Sequence, residues 1–319
     1  MKLLLQDILL FKTGNLIIGE VMCGIVGLFA KKEVISSNLG LHLSKMLESM
    51  SDRGPDSAGL AIYGKPIAKK TKIMVQSQSP ETDFQKLKKF LSSKKSLPFN
   101  LIIHSTHAII KLDINNKDLV TDLINNTFPN LRILSVGKKM EIYKEVGKPV
   151  EVIKRFSINK MKGSHGIGHT RMATESAVTT LGAHPFSTGE DQCLVHNGSL
   201  SNHNSLRREL IRKDMTFETE NDSEVAASFI SCRMNEGQTL KEALESALVE
   251  LDGFFTFVVG TENGFGVLRD PIACKPAVLA ENSEYVAFGS EYRALTSLPN
   301  IEKAKVWEPE PATVYFWGH

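Results

Sequence analysis

The chain has no Cys-x-x-Cys pair; its four cysteines, Cys23, Cys193, Cys232 and Cys274, are widely spread. That spacing argues against a disulfide framework and against a zinc or iron–sulfur cluster held by this chain, and it fits a reducing, cytoplasmic setting. No uninterrupted apolar run approaches the roughly 20 residues needed to cross a bilayer, which excludes a helical spanning protein. Only 12 prolines and 23 glycines accompany a 42% hydrophobic share, which excludes disordered and collagen-like classes. His-Glu-x-x-His and the Gly-x-x-x-x-Gly-Lys-Ser/Thr phosphate loop are both missing. His165 and His169 are four apart, but Gly163, Gly166 and Gly168 oppose the helix that a metal pair at that spacing needs, so no metal is expected.

What is present is large enough for two domains, or one fold carrying an insertion: 319 residues with a formal charge of +2. The charge is unevenly spread. Residues 65–162 carry 20 Lys/Arg and 8 Asp/Glu, a surplus of +12 against −10 for the remainder, which marks a boundary.

Residues 2–11, KLLLQDILLF, have the look of a secretion signal, but Gln6 and Asp7 break the apolar core and no small-residue cleavage site follows. Met22 directly precedes Cys23 and the strand-like run Gly24–Ala30. Residues 1–22 therefore read as a leader that is removed or not translated, with Cys23 first in the mature chain. The alternatives are a cleaved propeptide, or a retained extension in which Cys23 is structural.

Strands are expected at 23–30 and 58–63, around a helix near 39–50 whose Leu43, Met46, Leu47 and Met50 share one face. Between 71 and 136 the order is strand, helix, strand, strand, helix, strand, that of a ferredoxin-like unit, so 65–162 reads as a compact basic insertion. Helices follow at 202–213, 223–233 and 240–251, the last behind a Thr239/Glu242 capping box. Strands follow at 254–260, 265–268, 277–280, 285–288 and 313–316. The class is layered α+β.

A cysteine at a mature N-terminus carries its own base, because a free α-amino group has a reference pKa of about 7.7–8.0 and lies within reach of the thiol. Taken alone, Cys-Gly-Ile-Val-Gly reads as a buried strand cysteine. Its company changes that reading: Arg53-Gly-Pro-Asp-Ser-Ala-Gly59, Gly168-His-Thr-Arg-Met-Ala-Thr174, His184-Pro-Phe186, His196-Asn-Gly198 and Thr219-Glu-Asn-Asp-Ser-Glu224 follow in order. Together these resemble the class II, N-terminal-nucleophile glutamine amidotransferases over residues 23–63 and 163–317. Arg269-Asp-Pro271, Gly289-Ser-Glu291 and 139–147 are most similar to the stand-alone glutaminase subunits of glutamate-synthase-like systems, N-methylglutamate synthase among them.

The resemblance implies a four-layer αββα sandwich over 23–317, interrupted by the ferredoxin-like insertion. It implies that Cys23 attacks the glutamine amide while Asn197, through its side chain, and Gly198, through its backbone N–H, stabilise the oxyanion; alone, that Asn-Gly pair reads as a tight turn. Arg171 is suited to the α-carboxylate of glutamine and Asp222 to its α-ammonium, against a surface ion pair and a helix N-cap as the plain structural alternatives. Thr174 and His184 are expected at the rim or just behind it, and Arg53 and Asp56 to hold the loop beside the nucleophile. No cofactor is expected in this chain. By resemblance the acceptor subunit is a separate chain of glutamate-synthase type carrying flavin and an iron–sulfur cluster, its acceptor 2-oxoglutarate or a relative.

The alternatives are a non-catalytic glutamine-sensing subunit, or a glutaminase of asparagine-synthetase-like or phosphoribosyl-amidotransferase-like type. The insertion's lysines read as a solvated face or a dock for an acidic partner. Nucleic acid is the weaker reading, because its few aromatics, Phe84, Phe90, Phe99 and Phe128 before Tyr143, do not interleave with the lysines.

Overall fold

A computed structural model describes residues 22–172 and 177–318. All of the expected leader except Met22, and with it Thr174 of the expected site, lies outside the described residues. Two antiparallel sheets form the body. One has seven strands in the order Lys305–Trp307, Val278–Glu281, Tyr285–Gly289, Gly24–Ala30, His165–Arg171, Ser57–Tyr63 and Met140–Val146. The other has five: Thr313–Gly318, Gly264–Arg269, Gly253–Thr261, Gln192–Leu200 and Phe186–Gly189.

The two sheets face each other across Ile25, Phe29, Ala61 and Ile167 on one side and Val195, Val258 and Val267 on the other. Helices Leu39–Glu48 and Pro149–Phe156 cover the outer face of the seven-stranded sheet through Leu43, Leu47, Val152 and Phe156. Helices His203–Ile211, Asp222–Asn235 and Leu240–Glu250 cover the five-stranded sheet, with Val225, Phe229 and Leu244 against Phe257 and Val259. The result is helices, sheet, sheet, helices.

This layering explains why Gly24–Ala30 is apolar throughout instead of alternating. Ile25 and Phe29 enter the core between the sheets, whereas Val26 and Leu28 enter the core under the helices, so both faces of the strand are buried. The capping box at Thr239 and Glu242 is present and starts the helix where the sequence places it.

A third sheet holds Phe99–His104, His107–Asp113, Lys70–Ser77 and Leu131–Gly137 in that order, all antiparallel. Helices Pro80–Ser93 and Lys117–Thr127 pack on one face of it through Phe84, Leu87, Val120 and Ile124. Its opposite face, through Met74, Ile109 and Leu134, joins the core that also contains Tyr143 and Phe156.

The expected 65–162 insertion is therefore divided. Its separate sheet runs only from Lys70 to Gly137, while Met140–Val146 pairs with Ser57–Tyr63 as an edge of the main sheet and Pro149–Phe156 is one of its covering helices. Composition could not show this, because lysines continue through both parts. Among the described residues no helix is long and apolar enough to cross a membrane.

The return from the insertion is fastened by one carboxylate. Asp191, in the hairpin leading into Gln192–Leu200, accepts from the backbone N–H groups of Lys138 (2.7 Å), Lys139 (2.9 Å) and Met140 (2.8 Å), and donates its own N–H to the Val136 carbonyl (2.9 Å). It is buried. Asp191→Ala strips three donors of their acceptor inside the protein, and we expect it to cost about 3 kcal/mol. Urea titration checks this: the midpoint should fall with the slope unchanged.

Candidate active site

Cys23 stands at the head of the central strand, where Gly24 pairs with Thr170. Its Sγ lies 3.8 Å from the Met172 carbonyl oxygen. Two side chains from distant parts of the chain donate to the Cys23 carbonyl: Asn197 through Nδ2 (3.2 Å) and Arg53 through Nε (3.2 Å). Arg53 is buried and also ion-pairs with Glu291. The neighbouring Ser290 accepts at Oγ from the Ile25 N–H and donates its own N–H to the Ile25 carbonyl, both at 2.9 Å. Gly289-Ser-Glu291 thus braces the strand that Cys23 heads and the arginine that grips the Cys23 carbonyl.

Burial pushes the Cys23 thiol up from its ordinary pKa, opposed by the Met172 backbone and the positive charges of Arg171, Lys275 and Arg53. Lys275 Nζ also lies 3.5 Å from Met22 Sδ, so a cation faces the position just ahead of Cys23.

Asn197 and Gly198 do not form a turn. They lie inside the strand Gln192–Leu200, opposite Thr256 and Phe255, which corrects the plain reading of that pair. Gly198 has φ +147°, and a Cβ there would meet the Phe254 carbonyl oxygen at 2.0 Å, so no side chain fits. The neighbouring strand comes close enough at this point to require glycine beside the asparagine.

Arg171 ends the strand His165–Arg171 and is buried, with Nη1 3.4 Å from the Ala177 carbonyl oxygen. Asp56 supports it along the backbone: its N–H donates to the Arg171 carbonyl (3.1 Å), and its carbonyl accepts from Gly147 (2.9 Å).

Asp222 is not the N-cap of its helix. Asn221 is, accepting from the Ser223 N–H at 2.9 Å. Asp222, one residue into the helix, accepts from the Leu200 N–H through Oδ2 (2.9 Å) and from the Ser223 hydroxyl through Oδ1 (3.3 Å). The same hydroxyl is hydrogen-bonded to His196 Nδ1 at 2.9 Å. Asp222 is thereby tied to the strand Gln192–Leu200 by both carboxylate oxygens, directly at Leu200 and through Ser223 at His196.

His184 is enclosed rather than placed at a rim. Its ring stacks on His169 at 4.0 Å and meets Phe186 edge-on at 4.9 Å. Burial holds His169 down to about 3 and His184 well below its ordinary value, so both rings are neutral. His165, the other half of the histidine pair, stacks on Tyr63 at 4.1 Å and bonds through Nε2 to the Thr261 carbonyl (2.8 Å). Among the described residues no group of three His, Cys, Asp or Glu side chains is arranged to hold a metal ion.

The Cys23, Arg53, Arg171 and Asn197 groups converge from four strands and turns, and comparison with known proteins gives that convergence a family. Residues 169–297 match the model of the glutamine amidotransferase domain. The chain is 60% identical over 298 residues to the glutamine amidotransferase-like protein GlxB of Rhizobium meliloti, covering 93% of this chain and 99% of that one. The chain belongs to the glutamine amidotransferase family.

A putative glutamine amidotransferase of Methanothermobacter thermautotrophicus is 33% identical over 306 residues, again over 99% of its length. Among solved structures, the glutamine phosphoribosylpyrophosphate amidotransferase of B. subtilis superposes with a TM-score of 0.57 at 20% identity, over 93% of this chain and 47% of that one. That likeness shows the fold: the α+β fold of the N-terminal-nucleophile amidotransferases.

Sequence reasoning on this amidotransferase missed Glu291 and Ser223 as partners of site residues. The signal for Glu291 was present in Gly289-Ser-Glu291, but nothing local tied it to Arg53, 238 positions away.

Proposed function

We propose that this amidotransferase is a glutaminase subunit whose mature chain begins at Cys23. The thiol of Cys23 gives its proton to the α-amine, and the sulfur attacks the side-chain carbonyl carbon of L-glutamine. The tetrahedral oxyanion is held by the Asn197 side chain and the Gly198 N–H. The C–N bond then breaks as the protonated amine returns its proton to the departing ammonia, leaving a thioester that water hydrolyses to glutamate. Arg171 takes the α-carboxylate and Asp222 the α-ammonium.

The observation that carries this reading is that Asn197 Nδ2 and Arg53 Nε both reach the Cys23 carbonyl, while Arg171 precedes Met172, whose carbonyl lies 3.8 Å from the sulfur.

The ammonia passes to a separate acceptor subunit of glutamate-synthase type, with flavin and an iron–sulfur cluster on partner chains and 2-oxoglutarate or a relative as acceptor. Resemblance of the sequence motifs supports that choice. The reading of Lys70–Gly137 as a ferredoxin-like unit is supported by its antiparallel order, second strand, third, first, fourth. Its lysine-rich surface suits an acidic partner.

The test compares two preparations, one starting at Cys23 and one with Met22 still attached, assayed for glutamate release with and without the acceptor subunit. Activity should require the free Cys23 amine and rise with the partner. Full turnover from the Met22-linked chain refutes the mechanism, and equal turnover with and without the partner refutes the coupling.

A further inference from the structure

Residues 177–185 lie against the edge strand of the seven-stranded sheet and are held there by two consecutive residues of Met140–Val146. Lys144, a buried residue, donates through Nζ to the carbonyls of Leu181 (3.1 Å), Ala183 (2.7 Å) and Pro185 (3.2 Å), and Nζ lies 4.9 Å from the centre of the Phe186 ring. On the opposite face of the strand, Glu145 accepts from the Thr180 hydroxyl through Oε1 and from the Thr106 hydroxyl through Oε2 (2.9 Å). Thr106 belongs to the turn between Phe99–His104 and His107–Asp113, inside the basic insertion.

The register shows why this clamp bears on the site. Ser57 pairs with Arg171, and two residues on Gly59 pairs with both His169 and Lys144, so Lys144 and Arg171 rise from the same face of the sheet. A Cβ on Gly59 would meet the His184 carbonyl oxygen at 2.2 Å and Lys144 Cβ at 2.5 Å. The segment therefore lies directly on the sheet, and only glycine at 59 lets it do so. Its near end touches the guanidinium of Arg171 at the Ala177 carbonyl, and its far end carries His184 onto His169.

Three carbonyl oxygens taken out of water need three N–H donors, which only the ammonium form of a lysine supplies at one point. Burial pushes that ammonium down to about 8, and the charges of Glu224 and Glu218 oppose the shift. Packing alone would place a hydrocarbon here. A lysine at this cost has a specific task.

We propose that Lys144 is a positioning residue for glutamine: by holding 177–185 on the sheet it fixes the surroundings of Arg171, while the adjacent Glu145, bonded to Thr180 and Thr106, ties that segment to the insertion. This rests on the glutaminase reading of the same site. In Lys144→Met the aliphatic stem is kept and the three carbonyls lose their donors, so the segment should lift.

The experiment uses the full chain. Hydrogen exchange across 177–185 should accelerate by about tenfold or more in Lys144→Met, with the rest of the protein unchanged. Calorimetric titration of glutamine into Cys23→Ala and into Cys23→Ala with Lys144→Met should show Kd rising about tenfold in the second. In the chain with Cys23 intact, KM should rise by a similar factor while kcat stays within about threefold, because the lost contact acts on binding.

Unchanged exchange across 177–185, or unchanged Kd, overturns the proposal, as does a loss confined to kcat. If Cys23→Ala binds no glutamine, the glutaminase reading falls and the ligand side of this one with it. Should Lys144→Met not fold, Thr180→Val, which removes only the hydroxyl bonded to Glu145, gives the same reading with a smaller rise of about threefold.

Discussion

Cys23→Ala should lower glutamate release from glutamine by about 10⁴-fold or more, because removing a nucleophile abolishes the covalent route and leaves only what the oxyanion donors and binding groups supply. The fold should be unaffected, since the Cys23 contacts to Arg53 and Asn197 run through its carbonyl and not its sulfur. A glutaminase assay, with thermal unfolding as a control, checks both parts. Burial raises the thiol above its ordinary pKa, so at neutral pH the thiolate is scarce and its fraction grows as pH rises through and past 9. Alkylation of Cys23 by iodoacetamide, followed by peptide mass spectrometry in a chain with Met22 attached, should therefore keep accelerating beyond the pH at which a free cysteine levels off. With Met22 removed, turnover should instead rise through the range of the α-amine, about 7.7–8.0. An alkylation profile that levels off below pH 8 would show that the surrounding cations, and not burial, dominate.

The second large effect is expected at Asn197. Asn197→Ala should reduce kcat by about 10²–10³, the usual cost of one oxyanion donor, with KM changed far less. Asn197→Asp should be at least as damaging, because it puts a negative charge where negative charge develops. A steady-state comparison of the three proteins checks this, and a drop in kcat below about threefold for Asn197→Ala would remove the residue from the mechanism. The Asn197 effect depends on a contact across 174 positions of chain, which the strands Gly24–Ala30 and Gln192–Leu200 create by stacking in opposite sheets.

Legibility in the sequence followed the range of the forces involved. The strand Gly24–Ala30, the helix at Leu39–Glu48 and the helix opened by Thr239 and Glu242 were readable because apolar spacing and capping act over a few residues. His165–Arg171 was not read as a strand: Gly166, Gly168 and two histidines have little strand propensity, and the segment is extended because Gly24–Ala30 and Ser57–Tyr63 pair with it on both sides. Asn197-Gly198 misleads in the same way, since its local preference for a turn yields to a ladder with Gly253–Thr261. Met140–Val146 was assigned to the insertion by its charge, although its hydrogen bonds belong to the main sheet.

The sequence by itself determined which chemical groups are available: a thiol directly after Met22, an amide beside a glycine, a guanidinium and a carboxylate in ordered motifs. Tertiary structure decided which of them meet. Arg53 and Asn197 converge on Cys23, Asp222 is turned toward His196 by Ser223 instead of capping its helix, and Lys144 is buried under the segment that borders Arg171. The reason is that hydrogen bonds and burial act over a few ångströms in space, and residues some 30 to 240 positions apart come within that distance only once the sheets are stacked.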